Sequence, residues 1–402
     1  MAFTTADPSQ GALDILTAFG PLAAMHAALE RQGIGLPCSS AAHFPGWRAE
    51  QLDQAIGRVA ARLSVLNSRL VWRGDQPVLE LGGGGPTHLS DPLAFRPDET
   101  GVWGYRLSED QDGVRIVAAW AHAVADGPSM LGFLSALAHE LNGEPPPSAA
   151  IIARACRRQQ SMAAWLPGFL LEHAKAYDGL DPANRAPRVG ASFAILPPAA
   201  AERLREDSRG PGATARLASA AASCLMEQQR GRSHGEVYLN VPISRGAPAA
   251  LGGFGFEGSS VRLPLRLSPR LGIETLAALA GKRLRTRIDH GWDLNLLRFL
   301  SGPASRRMKF AAVQARRPPD SCLTISWKGW RNDLGARHGV RQVACFAAAP
   351  TLHLSGHASE DGLSLSLSTP QASDARRGLL GEICARLGLG RAIEIRELAD
   401  IV

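Results

Sequence analysis

A buried strand that leads directly into a histidine and then into a helix most constrains the fold of this chain. The run 115–120 (RIVAAW) is apolar apart from its first residue, which is typical of a buried strand. His122 then opens the segment 122–127 (HAVADG), and apolar residues recur with helical spacing through 130–141. Pro128 suits the first helical position because it lacks only an N–H that would be unpaired there. The sequence therefore predicts a strand–turn–helix unit with His122 in the turn.

His122 has two interpretations at this point. Loops held between a buried strand and a helix often carry catalytic residues, and histidine changes its charge near neutral pH. A single histidine near the end of a strand is nevertheless more often structural than catalytic. The spacing alone leaves both roles open.

Length and composition indicate a globular protein with two domains or two lobes. The chain has 402 residues, of which 45% are hydrophobic and 20% charged, and one core seldom fills so long a chain. The polar, proline-containing segment 178–188 (DGLDPANRAPR) is the best candidate for a boundary. We predict an N-terminal lobe at 1–180, a linker at 181–190 and a C-terminal lobe at 191–402.

Both predicted lobes mix strands with helices. A helix is expected to open at Pro21, and leucines alternate strictly with serines in 362–368, as they do in a strand. His353 and His357 fall on one face of another strand, because an even spacing places side chains on the same side. Two histidines alone do not make a metal site, and we expect them at the surface. The predicted fold class is α/β (α+β), with a mixed sheet and helices in each lobe.

Charge and cysteine content restrict the function only partly. The net charge is +7, but the 44 basic residues are scattered and lack the interleaved aromatic residues of a nucleic-acid-binding surface. A basic surface would suit an acidic carrier protein or a phosphorylated cofactor, and solvated helix faces explain it equally well. The six cysteines form no CxxC pair, which indicates reduced thiols in a cytoplasmic protein. No signal peptide and no transmembrane segment is predicted.

Several segments resemble one superfamily of acyltransferases. The segment 122–127 matches its HxxxDG motif, and 52–81, 240–245 (NVPISR) and 325–329 (ISWKG) lie where the family has further characteristic segments. On these residues the chain resembles chloramphenicol acetyltransferases, condensation domains of nonribosomal peptide synthetases and stand-alone polyketide-associated acyltransferases. Condensation domains carry HHxxxDG, and Ala121 replaces the first histidine here. That difference favours the acetyltransferase and stand-alone branches.

The resemblance implies two chloramphenicol-acetyltransferase-like lobes with an active-site tunnel between them and His122 halfway along it. The donor would be a phosphopantetheine thioester, either acyl-CoA or an acyl-carrier protein, and the acceptor an alcohol or amine. His122 would be the general base, and no covalent enzyme intermediate is required. No bound cofactor and no metal is expected.

The resemblance also assigns structural roles near His122. Asp126 would be a brace that pairs with an arginine, for which Arg245 is the candidate. Gly127 would leave room for the pantetheine arm, because glycine has no side chain.

Three further residues are candidates for substrate binding. Ser326 would stabilise the oxyanion, although a solvent-facing strand serine is the commoner case. Trp327 replaces a family asparagine, and Trp120 has a core position as its alternative.

The predicted function is therefore acyl transfer from a phosphopantetheine thioester to an alcohol or amine, in secondary or lipid metabolism. One alternative is a stand-alone condensation enzyme that joins carrier-bound partners. The other is a non-catalytic binding protein with the same fold.

Overall fold

The computed structural model describes residues 16–18, 21–31, 38–92, 95–97, 101–145, 160–177, 190–206, 212–228, 235–244, 258–267, 271–301, 322–330, 334–347, 352–359, 361–369, 371–389 and 395–397. The helices are α1 (Pro21–Arg31), α2 (Ala49–Arg62), α3 (Gly127–Leu141), α4 (Met162–Tyr177), α5 (Pro198–Glu206), α6 (Ala213–Gln228), α7 (Ile273–Asp289), α8 (Trp292–Leu300), α9 (Gly335–His338) and α10 (Ser373–Arg386). The strands are β1 (Leu16–Ala18), β2 (Cys38–Pro45), β3 (Ser68–Arg73), β4 (Gln76–Leu81), β5 (Thr87–His88), β6 (Trp103–Glu109), β7 (Gly113–Trp120), β8 (Gly190–Leu196), β9 (Gly235–Ser244), β10 (Gly258–Leu267), β11 (Cys322–Trp330), β12 (Arg341–Ala347), β13 (Leu352–Ser359), β14 (Gly362–Thr369) and β15 (Ile395–Glu397).

A five-stranded sheet forms the N-terminal part of the fold, with the strand order β12-β2-β7-β6-β5. Strands β2, β7 and β6 pair antiparallel in the centre, and helices α2 and α3 pack together beside them. Strand β7 ends at Trp120 and α3 begins at Gly127. The strand–turn–helix unit predicted from the sequence is therefore confirmed.

A seven-stranded sheet forms the second half, with the order β10-β9-β11-β13-β14-β8-β15. Strand β11 lies parallel to both β9 and β13, whereas the other neighbours pair antiparallel. The leucines of β14 pack with α6 and α10 in one apolar core. Mixed sheets with helices in both halves confirm the predicted α/β class.

In the second sheet, the face that carries the serines of β13 and β14 packs against the first sheet. Ser355 and Ser366 both donate to the backbone carbonyl of Cys345 in β12, at 2.6 Å and 2.7 Å. Phe193 and Phe346 join an apolar cluster that contains residues of both sheets. A face that alternation alone predicts to be solvated is thereby buried between two sheets.

His353 and His357 show the effect of this arrangement. They are only 7% and 6% exposed. The prediction that they lie at the surface is wrong, because β12 packs across their strand.

Strand β12 belongs by sequence to the C-terminal half but completes the N-terminal sheet. It pairs antiparallel with β2 along Arg341–Ala347. The linker predicted at 181–190 lies outside the described residues except for Gly190. The predicted lobe boundaries thus remain a prediction.

Among the described residues, no helix combines the length and the apolar character that crossing a membrane would require.

Candidate functional site

His122 lies in a tight turn between β7 and α3. The carbonyl of Ala121 accepts from the backbone N–H groups of Val124 at 2.9 Å and Ala125 at 3.1 Å. This turn brings the carbonyl oxygen of Ala125 to 3.2 Å from His122 Nδ1. Because a carbonyl oxygen only accepts, Nδ1 carries the proton and the basic lone pair of the ring lies on Nε2. The turn therefore selects the tautomer that a general base needs.

The His122 imidazole is held in its neutral form. Burial lowers its pKa to about 4, and the neighbouring Lys328 ammonium acts in the same direction. The hydrogen bond to Ala125 opposes this shift. At neutral pH the ring is uncharged, which is the state that can accept a proton.

Helix α1 contributes two side chains beside His122. The His26 ring centroid lies 4.1 Å from that of His122, with the ring planes inclined by 40°. Glu30 Oε1 accepts from the backbone N–H of His122 at 2.5 Å. His26 and Glu30 are one helical turn apart and so share a face of α1. Burial, with a further contribution from His122, lowers the pKa of His26 well below its usual value.

Asp126 is the N-cap residue of α3. Its Oδ1 accepts from the backbone N–H of Ser129 at 2.9 Å and from the Ser129 hydroxyl at 2.8 Å. A cap of this kind stabilises a helix by about 1 kcal/mol. Burial raises the pKa of the carboxyl, while Ser129 and the charge of Lys328 oppose that rise. The carboxylate is thus engaged in holding the start of α3, and Arg245, its predicted partner, lies outside the described residues.

Gly127 lies directly under the side chain of Lys328. A Cβ at this position would be 2.2 Å from Lys328 Cε and 2.9 Å from Cδ, so Lys328 can occupy this position only while residue 127 is glycine. Lys328 Nζ donates to Ser355 Oγ at 2.5 Å. Burial lowers the pKa of this ammonium. In this structure Lys328 fills the space beside Gly127, where the resemblance predicted the pantetheine arm.

Strand β11 presents Ser326 and Lys328 on one face. Alternate residues point to opposite sides of a strand. Leu323, Ile325 and Trp327 pack with the core of the second sheet. Ser326 and Lys328 therefore face the other way, toward the site.

The two predicted tryptophans both have packing positions. Trp327 Cζ3 lies 3.3 Å from where a Cβ of Gly356 would be, against the second core. Trp120 is completely buried and stacks on Trp103, with ring centroids 4.6 Å apart and planes inclined by 6°. The core role that was the alternative for Trp120 is the one this geometry supports.

The structure also adds residues that the sequence did not single out. His26 and Glu30 come from a helix predicted without a role, and Lys328 from a strand in which Ser326 and Trp327 were the candidates. His353 joins them: burial lowers its pKa to about 3, with smaller contributions from Lys328 and His122. The i, i+4 spacing of a histidine and a carboxylate on α1 was the available signal for the first pair.

Comparisons with known proteins identify the fold. No protein-family model and no curated protein sequence matches the chain. Solved structures do match over nearly its full length. The first condensation domain of the calcium-dependent antibiotic synthetase, in complex with a substrate analogue, has a TM-score of 0.65 at 18% identity, with 94% of this chain and 97% of that chain covered.

Two further solved structures match to a similar extent. Polyketide synthase associated protein 5 from Mycobacterium tuberculosis has a TM-score of 0.61 at 14% identity, covering 93% of this chain and 98% of that one. The starter condensation domain of rhizomide synthetase, a mutant in complex with C8-CoA, has a TM-score of 0.57 at 14% identity, covering 95% and 98%. The chain has the two-lobed fold of condensation domains and chloramphenicol-acetyltransferase-like proteins, as the resemblance predicted.

Proposed function

We propose that the protein is an acyltransferase in which His122 is the general base. The supporting observation is the hydrogen bond between His122 Nδ1 and the Ala125 carbonyl at 3.2 Å, which directs the basic lone pair to Nε2. The fold shared with condensation domains and acyltransferases supports the same conclusion.

In the proposed reaction the hydroxyl or amine of the acceptor attacks the carbonyl carbon of a thioester. His122 Nε2 takes the proton of the attacking group as the new bond forms. The tetrahedral intermediate collapses, the C–S bond breaks, and the imidazolium returns the proton to the leaving sulfur. In this proposal Ser326, which shares a face of β11 with Lys328, would donate to the oxyanion.

The donor in this proposal is acyl-CoA or an acyl-carrier protein. A groove between β10 and α7 is lined by basic side chains that include Lys282 and Arg283. Positive charge of this kind attracts the phosphates of coenzyme A or the acidic surface of a carrier protein. A rhizomide synthetase domain of the same fold binds C8-CoA. The cytoplasmic location and a role in secondary or lipid metabolism belong to the same proposal.

Release of free thiol tests the proposal. The purified protein is incubated with acyl-CoA or an acyl-loaded carrier protein and with panels of alcohols and amines, and free thiol is measured. We expect release that depends on an acceptor and is lost in His122→Ala. His88→Ala, which removes an exposed histidine, is the matched control and should retain full activity. Thiol release that persists in His122→Ala would contradict the proposed base.

The strong structural match to condensation domains supports a second candidate function, the joining of two carrier-bound partners. The two candidates differ in their acceptor. Transfer to a free alcohol or amine supports the first, and turnover only with an acceptor attached to a carrier protein supports the second. Binding without turnover for every donor and acceptor would instead favour a non-catalytic protein.

A further inference from the structure

A second group of titratable side chains lies at the opposite end of α3 from His122, and its first member is buried. It consists of His139 in the last turn of α3, Glu144 just beyond it, and His338 at the end of α9. One ligand atom from each residue lies within 4.8 Å of the other two. The first two residues and the third come from opposite halves of the sequence.

His139 is the unusual member of this group. It is 3% exposed, and neither Nδ1 nor Nε2 makes a hydrogen bond within the described part of the chain. Buried polar groups are nearly always hydrogen-bonded, so such a ring calls for an explanation. Its Nδ1 lies 3.5 Å from Glu144 Oε2, and its ring centroid lies 4.4 Å from that of His338.

The backbone holds Glu144 in place beside His139. The N–H of Glu144 donates to the carbonyl of His139 at 2.8 Å, which folds the chain back over the end of α3. The last carbonyls of a helix carry partial negative charge and favour a cation nearby. His338 Nδ1 lies 4.0 Å from Glu144 Oε1. Two imidazoles and one carboxylate thus converge at the negative end of a helix.

We propose that His139, Glu144 and His338 bind a divalent transition-metal ion of the zinc type. Zinc binds histidine nitrogen and carboxylate oxygen at about 2.0–2.2 Å, so ligand atoms in a tetrahedral site are about 3.3 Å apart. His139 Nδ1 lies 3.5 Å from Glu144 Oε2, and His338 Nδ1 lies 4.0 Å from Glu144 Oε1. One ligand atom from each residue lies within 4.8 Å of the other two, so rotations of the side chains would bring them to the spacing of a tetrahedral site. The ion would fasten the end of α3 to α9 and, through α9, to β12. This inference does not depend on the proposed acyl transfer.

Arg337 competes for the same carboxylate. Its guanidinium lies 2.8 Å from Glu144 Oε2, and its side chain is 59% exposed. An exposed arginine can leave the carboxylate when an ion binds. Because it both neutralises Glu144 and repels a cation, its removal should tighten metal binding.

Metal titration of the chelator-treated, untagged 402-residue chain tests the proposal. Cobalt(II) should produce visible absorption that saturates at one ion per chain, and zinc(II) should displace it and raise the thermal midpoint with concentration. His338→Gln and Glu144→Gln should weaken binding at least about 100-fold, since even outer-shell changes cost about 10–100-fold. Glu144 is about one-third exposed, so Glu144→Gln should fold normally, which circular dichroism checks.

Two further variants make the test specific. His290→Gln removes an exposed histidine that is not part of the proposed site, and this variant should bind cobalt as the wild type does. Arg337→Ala should bind several-fold more tightly, an effect that a purely structural cluster does not produce. The proposal is overturned if cobalt and zinc have no effect on the wild type. It is equally overturned if Glu144→Gln and His338→Gln bind normally, if His290→Gln loses as much affinity, or if Arg337→Ala does not bind more tightly.

Discussion

A histidine lies at each end of helix α3, and the two imidazoles have different surroundings. At the N-terminal end, the Ala125 carbonyl fixes the His122 Nδ1 proton at 3.2 Å, and the ring has one defined tautomer. At the C-terminal end, His139 has no hydrogen bond to either nitrogen within the described residues, and a carboxylate and a second imidazole lie beside it. A single tautomer favours proton transfer by His122. A His139 nitrogen without a hydrogen bond, beside the Glu144 carboxylate, can instead bind a metal ion.

Replacement of His122 should produce the largest difference between the two ends of α3, because it removes acyl transfer at one end and leaves cobalt binding at the other unchanged. His122→Ala removes the base, and general base catalysis contributes about 10²–10⁴-fold, so kcat/KM for acyl transfer should fall by that amount. Cobalt affinity at the other end should change by less than about twofold, because distant sites act independently. Steady-state kinetics and cobalt titration on the same preparation measure both. A loss of cobalt affinity that parallels the loss of turnover would mean that the two ends are one unit.

Asp126 and Lys328 provide the largest expected effect on stability at the N-terminal end. Asp126→Ala removes the helix cap and leaves a buried ammonium without its nearby carboxylate, so the free energy of unfolding should fall by about 2–4 kcal/mol. Lys328→Met keeps the shape of the side chain without its charge. Denaturant unfolding of both single variants and the double variant measures their coupling. The double variant should be more stable than the sum of the single effects by at least about 1 kcal/mol, and simple additivity would exclude the interaction.

Gly127 offers a smaller effect with a control in the same helix. In Gly127→Ala the new Cβ would overlap Lys328 Cε, so the lysine must move and its bond to Ser355 is lost. A cost of about 1 kcal/mol is expected. Gly132→Ala has open space around its Cβ and should stabilise the protein by about 0.5–1 kcal/mol, because alanine favours the helix. Gly127→Ala combined with Lys328→Ala should lose its penalty, and equal stability of the two alanine variants would contradict the contact.

The smallest expected effect is a shift in the pH at which kcat/KM falls. His122 works as a base only when neutral, so kcat/KM should decrease as the pH falls through its pKa of about 4. Lys328 lowers this pKa, and Lys328→Met should therefore move the acid limb to higher pH. Rates are measured over the pH range in which circular dichroism is unchanged. An acid limb near the ordinary histidine value of about 6.5 would show that His122 is solvated in the working enzyme.

The sequence was sufficient for the local unit around His122 and insufficient for what surrounds it. The strand, the turn and α3 follow from periodicity over adjacent residues, and the structure confirms them. Glu30 and Lys328 reach the site through the packing of distant segments, which a periodic pattern does not encode. His353 was assigned to the surface because alternation tells only which residues share a face of a strand. Whether a second sheet covers that face depends on the tertiary arrangement.

The position of β12 has a consequence for how the chain folds during synthesis. Strand β2 pairs with β7 on one side and with β12 on the other, so its outer edge has no partner until residue 347 has left the ribosome. A strand with apolar side chains and an unpaired edge readily pairs with strands of other chains. Pairing between such distant segments is also slow to form, because a long loop must close first. A fragment that ends before β12 should therefore aggregate, while the same fragment supplied with residues 334–347 in trans should gain solubility.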